Sequence, residues 1–117
     1  MQNDKKNRYF QQLNQALRNY ERAIPSLLLD LDKLDENIAV LKGAIPTSMA
    51  FRIVVKSLPS LELVEYIMEK ATTNKLMVFH QPFLTHLSAH CHEKTDILLG
   101  KPMPIKTAAY YLSLIHI

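Results

Sequence analysis

The stretch that decides the fold is FRIVVKSLPSLELVEYI, residues 51–67. Its first five residues are mostly apolar and predict a buried strand over residues 51–55, which ends directly at a charged amine, Lys56. After a short turn, Ser60 opens a helix that presents an apolar face with Leu63 and Ile67. A strand that passes at once into a helix is typical of α/β proteins. The position of Lys56 between the two elements calls for an explanation.

The same strand–helix unit recurs along the chain. Short, continuous apolar runs predict strands over residues 27–31, 51–55, 75–79 and 96–99, and helical patterns follow from Asp32, Ser60, Pro82 and Ile105. An amphipathic helix over residues 3–22 precedes them, and Pro25 ends it. We therefore expect a parallel α/β fold with helices covering the strands.

In such folds the chemistry lies at the carboxyl ends of the strands. The residues that fall at those ends here are Asp30, Asp32, Lys56, Ser57, His80, Gly100 and Lys101. Lys56 therefore stands where an α/β protein keeps its reactive groups.

Composition excludes several classes of protein. The net charge is +3, but the basic residues are interleaved with acidic ones, whereas a nucleic-acid surface needs a basic cluster. No apolar run reaches the roughly 18 residues of a membrane span, and the polar start does not resemble a signal peptide. The single cysteine, Cys91, fits a reducing compartment. We expect a soluble cytoplasmic protein that binds neither nucleic acid nor membrane.

A lysine at a strand end has two interpretations. Partial desolvation disfavours the ammonium form, and the free amine is then a nucleophile that forms Schiff bases with carbonyl compounds, including pyridoxal phosphate. Alternatively, Lys56 extends its charged end into solvent and has no chemical role. The spacing of the residues leaves both interpretations open.

A resemblance favours the first interpretation. The segment IPSLLLDLDKLDENIAVLKGAI, residues 24–45, followed by FRIVVKSLPS, residues 51–60, resembles the start of the alanine racemase-like, fold-type III pyridoxal-phosphate enzymes, especially their D-threonine aldolase and D-serine dehydratase relatives. The shared features are the P-x-L-L-L-D-L-D-x-L-x-x-N-I opening and a strand with a basic residue, Arg52, that ends in lysine. The resemblance covers residues 25 to about 110.

The resemblance implies a fold and an activity. It implies the N-terminal part of an incomplete (β/α)8 barrel, an amino-acid substrate, pyridoxal 5'-phosphate as cofactor, and a homodimeric full-length parent. Lys56 takes the role of the catalytic lysine that carries the cofactor. An eight-stranded barrel needs about 200 residues or more, so we expect this chain to be a fragment and inactive alone. In two-domain members the strand containing LLLDLD belongs to the other domain.

The neighbours of the lysine differ from the family pattern. Racemases continue with Ala-Asn-Ala-Tyr-Gly and D-threonine aldolases with Thr-His-Lys, whereas Ser57 and Leu58 follow here. Racemisation, aldol cleavage and dehydration therefore remain alternatives. Ser57, Gly100 and Lys101 are candidates for the substrate side, and His80 is a candidate contact of the cofactor.

Other residues suggest three alternatives: a phosphatase, a non-catalytic carrier of pyridoxal phosphate and a zinc-binding protein. Asp30 and Asp32 in LLLDLDKL match the Asp-x-Asp of haloacid-dehalogenase phosphatases, but Leu34 stands where threonine or valine is expected. A non-catalytic pyridoxal-phosphate carrier would have the same lysine without a second domain. His86 and His90, four residues apart, could bind zinc only with two further ligands, so no metal site is predicted.

The chain divides into three predicted parts: an N-terminal helix over residues 1–24, a partial cofactor-binding barrel over residues 25–111, and a tail over residues 112–117. The tail, LSLIHI, can be back-translated as CTG TCT CTT ATA CAC ATC, which is the transposon mosaic-end sequence used to build sequencing libraries. We expect the tail to be adaptor-derived rather than native.

Overall fold

The structure is a computed structural model that describes residues 2–20, 24–56 and 60–114; the side chains of residues 2–4 and 111–114 are not described. In this part of the chain helices and strands alternate after two leading helices. The elements are α1 (Gln2–Arg18), α2 (Leu31–Ala44), β1 (Ile53–Val54), α3 (Leu61–Ala71), β2 (Lys75–Val78), α4 (Gln81–His90), β3 (Asp96–Leu99) and α5 (Ile105–Leu114).

The three strands form one parallel sheet in the order β1-β2-β3. Ile53 pairs with Leu76, and Leu76 pairs in turn with Ile97, so β2 is the central strand. Each strand is joined to the next by one helix, α3 or α4. The expectation of a parallel α/β fold is confirmed at this level.

One face of the sheet is covered by α3 and α4 and contains the core. The core side chains come from alternate strand positions and from one face of each helix: Val55, Val64, Leu76, Val78, Phe83 and Leu87. Leu76 and Val78 have no exposed surface because they lie on the central strand under both helices. Both crossover helices therefore pack on the same side of the sheet.

The opposite face, here called the open face, carries the other strand positions, because successive side chains of a strand point to opposite sides. Pairing arranges them in three rows. The register pairs Val54, Met77 and Leu98 as the apolar row, and it pairs Lys75 with Asp96 in the ionic row, which Arg52 joins through hydrogen bonds to Asp96. Two residues beyond the apolar row lie Lys56, Phe79 and Gly100, the end row, where Lys56 and Gly100 both approach the Phe79 ring. Val54 and Leu98 keep about half of their surface exposed, at 54% and 48%. The open face is therefore apolar in its middle and polar at its two ends.

Polar contacts join α2 to α3. The Tyr66 hydroxyl and the Lys70 ammonium both donate to the Asp35 carboxylate, at 2.8 and 2.6 Å. Lys70, followed by Tyr66, lowers the pKa of Asp35 by stabilising its ionised form. Lys42 of α2 donates to the Thr72 hydroxyl after the end of α3, at 2.9 Å. These contacts set the angle between the two helices.

The predicted first strand, residues 27–31, is wrong. Residues 24–30 form no strand, and Leu31 already begins α2. Asp30, rather than Asp32, is the N-cap, because its carboxylate accepts the Lys33 N–H at 3.0 Å. Leu27 is 94% exposed and has no neighbouring strand to pair with among the described residues.

The ends of the other elements follow the sequence closely. Strand β3 has the predicted bounds, β2 ends one residue earlier than predicted, and β1 is reduced to two residues. Helix α1 ends at Arg18 rather than at residue 22, and residues 21–23 lie outside the described part. Residues 112–114 of the predicted tail continue the backbone of α5, and residues 115–117 lie outside the described part.

Within the described ranges, no helix combines the length and the apolar character that crossing a bilayer requires.

Candidate functional site

The candidate site is the end row of the open face, at the carboxyl ends of the three strands. Lys56 follows β1 and is exposed. Its ammonium nitrogen lies 5.6 Å from the centroid of the Phe79 ring, within reach of a cation–π contact. Lys56 and Val54 share the open face, so the lysine does not enter the core between sheet and helices. The structure thus places Lys56 at a strand end, as the sequence predicts.

Gly100 closes the end row on the far side of Phe79. A Cβ atom on Gly100 would lie 2.4 Å from the Met77 methyl carbon and 2.9 Å from a carbon of the Phe79 ring. The Gly100 N–H donates to the Val78 carbonyl at 2.7 Å, which fixes its backbone beside β2. A side chain at Gly100 would therefore have to displace the end of the Met77 side chain and crowd the edge of the Phe79 ring.

His80 faces the helix that follows it. It is the N-cap of α4: its Nδ1 accepts the Phe83 N–H at 3.4 Å, and the two rings lie 5.9 Å apart. This contact assigns the ring proton of the neutral imidazole to Nε2. Capping explains why histidine stands at this position, and its contact with a cofactor stays a prediction.

The two remaining candidates differ in what the structure describes. Lys101 is exposed and follows Gly100 at the end of β3, so its charge lies on the same edge of the sheet as Lys56. Ser57 lies outside the described residues.

The ionic row lies at the opposite, amino-terminal end of the strands. Two nitrogens of the Arg52 guanidinium donate to the two carboxylate oxygens of Asp96, at 2.9 and 2.7 Å. Arg52 also donates to the Leu76 carbonyl at 2.8 Å. Lys75 adds a third contact to the Asp96 carboxylate at 2.9 Å. Arg52, and after it Lys75, holds the pKa of Asp96 well below its usual range. Arg52 thus ties β1 to β3 across the central strand.

Sequence reasoning missed this ionic row. The available signal was the alternation of Arg52, Val54 and Lys56, which places the three side chains on one face of a strand. The alternation could not identify Asp96 as the partner of Arg52. Asp96 is 44 residues away and comes close to Arg52 only through the strand register.

Asp30, the candidate nucleophile of the phosphatase alternative, has a structural role. One carboxylate oxygen accepts the Tyr9 hydroxyl at 2.7 Å, and the other accepts the Lys33 N–H. The Tyr9 hydroxyl is the main cause that lowers the pKa of Asp30. Both oxygens are therefore engaged, one in joining α1 to α2 and the other in capping α2.

Lys56 lines a small cleft at the edge of the sheet. A cleft of about 170 Å³ runs beside β1 and α3 and is lined by Lys56, Val54 and Ile67, among others. Small-molecule pockets usually measure about 300–1,000 Å³. The cleft beside Lys56 is smaller than that range.

Among the described residues no three or more His, Cys, Asp or Glu side chains cluster as a metal site would require. The His86 and His90 rings lie 4.8 Å apart, and the His90 Nδ1 is 2.7 Å from the His86 carbonyl, so His90 donates there. The pair has no third ligand in the described part of the chain.

Comparison with known proteins finds no matching family model, no similar curated protein and no similar solved structure.

Proposed function

We propose that the chain is the N-terminal part of the barrel domain of a pyridoxal-phosphate-dependent enzyme that acts on amino acids, with Lys56 as the lysine that carries the cofactor. The observation that carries the proposal is the position of Lys56 on the open face, at the carboxyl end of the first strand of a parallel sheet. That is where α/β barrels direct their catalytic side chains.

The arrangement of strands and helices supports a barrel segment. The strands follow one another in consecutive order, and α3 and α4 share one face of the sheet. A doubly wound sheet reverses its strand order and places helices on both faces. In a barrel the helices lie outside, and the other face lines the interior in layers of side chains. The side chains of the open face would then point into the barrel interior.

The residues of the end row fit the proposed cofactor. Lys56 offers an exposed amine and Phe79 an aromatic wall, and the lack of a side chain at Gly100 leaves room for the Phe79 ring. Lys101 places a positive charge on the same edge, suited to an anionic group of the substrate. Pyridoxal phosphate, when bound, supplies an electron sink for carbanion chemistry at amino acids. Lys56 would anchor it and hold or return a proton at Nζ.

The proposal is tested by reducing the bond between pyridoxal 5'-phosphate and lysine, which makes the label permanent. The chain is mixed with pyridoxal 5'-phosphate, reduced with borohydride and mapped by peptide mass spectrometry. We expect Lys56 to carry the largest share of the label, because its amine is exposed beside an aromatic wall. Lys56→Ala should remove that share, and Lys101→Ala, the matched control, should keep it. Label spread over all exposed lysines without preference for Lys56 would contradict the proposal.

The phosphatase and carrier alternatives have their own tests. A phosphatase would release phosphate from p-nitrophenyl phosphate with Mg²⁺, and Asp30→Asn would abolish the release; we expect no release, because both Asp30 oxygens are engaged. A carrier would show the same Lys56 label as an enzyme. Turnover of an amino acid by a longer product of the same reading frame separates those two.

A further inference from the structure

The ring of Phe79 lies between the other two members of the end row. On one side is the Lys56 ammonium, 5.6 Å from the ring centroid. On the other side is Gly100, where an added Cβ would come within 2.9 Å of the ring edge. Because Phe79 follows the central strand, its ring bridges the carboxyl ends of β1 and β3.

The backbone of Gly100 limits the position of the Phe79 ring on one side. Gly100 is bonded through its N–H to the Val78 carbonyl at 2.7 Å, so the surface against which the ring lies cannot move aside as a flexible side chain would. Phe79 is partly buried, although it lies on the open face. A partly exposed aromatic ring next to a strand-end amine can contact a ligand that is joined to that amine.

We propose that Phe79 contacts the cofactor, stacking its ring against the pyridine ring held on Lys56. This inference rests on the function proposed above. A heterocycle joined to the Lys56 nitrogen through one carbon can reach the separation of about 4.5–7 Å between centroids at which aromatic pairs attract each other. Phe79 therefore favours aromatic aldehydes over aliphatic aldehydes of similar charge, and Gly100 acts by leaving room for the ring.

The experiment compares two aldehydes on the intact chain. Pyridoxal 5'-phosphate and glycolaldehyde phosphate are each trapped with cyanoborohydride, and the label on Lys56 is divided by the label on Lys5, an exposed lysine of α1. In Phe79→Leu the ratio for pyridoxal phosphate should fall about fivefold, the factor that corresponds to about 1 kcal/mol for an aromatic pair. The ratio for glycolaldehyde phosphate should not fall, because an aliphatic aldehyde has no ring to stack.

Three further variants separate stacking from damage to the fold. Phe79→Tyr keeps an aromatic ring and should keep the wild-type ratio. Gly100→Ala introduces a Cβ against the ring, displaces it, and should act like Phe79→Leu. Met77→Leu changes the other neighbour of that Cβ, keeps an apolar side chain there and leaves Phe79 in place, so it should leave both ratios unchanged.

The outcomes distinguish this inference from the proposed function. Equal loss of both labels in Phe79→Leu, or no loss of either, would overturn the role of Phe79 while Lys56 remains the preferred site. Absence of any preference for Lys56 in the wild-type chain would overturn the proposed function itself. Loss in Phe79→Tyr as large as in Phe79→Leu would also overturn the stacking role, because the aromatic ring is retained there.

Discussion

Among single residues, Asp96 is kept ionised by two basic side chains of the open face. The Arg52 guanidinium is the larger cause that lowers the pKa of Asp96, and the Lys75 ammonium is the smaller one. Because the folded pKa is below the usual value of 3.8, the stabilisation is present above that value and is lost as the pH falls through the folded pKa. The ionic row should therefore hold at neutral pH and weaken only in acid.

This predicts an ordered series of titrations. Followed by NMR of its carboxyl carbon, Asp96 should titrate below its usual 3.8 in the wild-type chain. Arg52→Gln should raise the midpoint more than Lys75→Gln, because Arg52 makes two contacts to the carboxylate and Lys75 makes one. A larger shift in Lys75→Gln would show that the paired geometry of Arg52 is not the main cause.

The sequence identified Lys56 but not its surroundings, for a physical reason. The position of Lys56 follows from local pattern, an apolar strand that ends in a charge. The contact of Phe79 with Gly100 depends on the register between β2 and β3, which pairs residues about 20 positions apart. Local pattern does not encode that register. Gly100 leaves space for the Phe79 ring. Its contact with a substrate stays a prediction.

At the scale of elements, the end of α3 contains a strained residue. Thr72 has φ 55° and ψ 50°, in the left-handed region. Among the described residues it is the one residue other than glycine with positive φ. That conformation costs a β-branched residue about 1–2 kcal/mol, whereas asparagine adopts it more readily. The Thr72 hydroxyl accepts a hydrogen bond from Lys42, which keeps α2 in contact with this end of α3.

Thr72→Asn should therefore stabilise the end of α3. We expect about 1 kcal/mol, since asparagine relieves the strain and can still accept from Lys42. The measurement is hydrogen-exchange protection of the α3 amides, which should rise about fivefold. Thr72→Val is the matched control: it keeps the branched shape, loses the hydroxyl, and should lower protection. Equal effects of the two variants would contradict the argument.

The misplaced first strand is also explained at this scale. Residues 27–31 are apolar enough for a strand, but a strand forms only where another strand satisfies its backbone groups. Local capping by Asp30 then determines where α2 begins. The runs that became β1, β2 and β3 have partners within the chain, and these the sequence predicted to within a few residues.

At the scale of the whole molecule, the chain is less compact than a globular domain of its size. Its radius of gyration is 18.6 Å, against about 13 Å expected for 117 residues. Its accessible surface is 9814 Å², against about 6,500 Å² for a folded monomer of this mass. The open face and the exposed leucines at positions 27–29 contribute part of this excess accessible surface. This agrees with the proposal that further strands complete the barrel.

The last prediction follows from that surface. An open sheet face with unpaired outer strands exposes apolar side chains and free backbone groups, which favour association. The 117-residue chain should therefore bind a hydrophobic dye and self-associate as its concentration rises, as measured by dye fluorescence and sedimentation velocity. Leu98→Lys should reduce both effects, because it places a charge in the middle of the apolar row.

The matched control for that variant is Val40→Lys on α2. Val40 is more exposed than Leu98, at 72% against 48%, but it lies on a helix rather than on the open face. If association depended on exposure alone, Val40→Lys would have the larger effect; if it depends on the open face, Leu98→Lys will. A compact, monomeric wild-type chain that binds no dye would show that the open face is already covered in solution. That result would remove the structural reason for proposing further barrel strands.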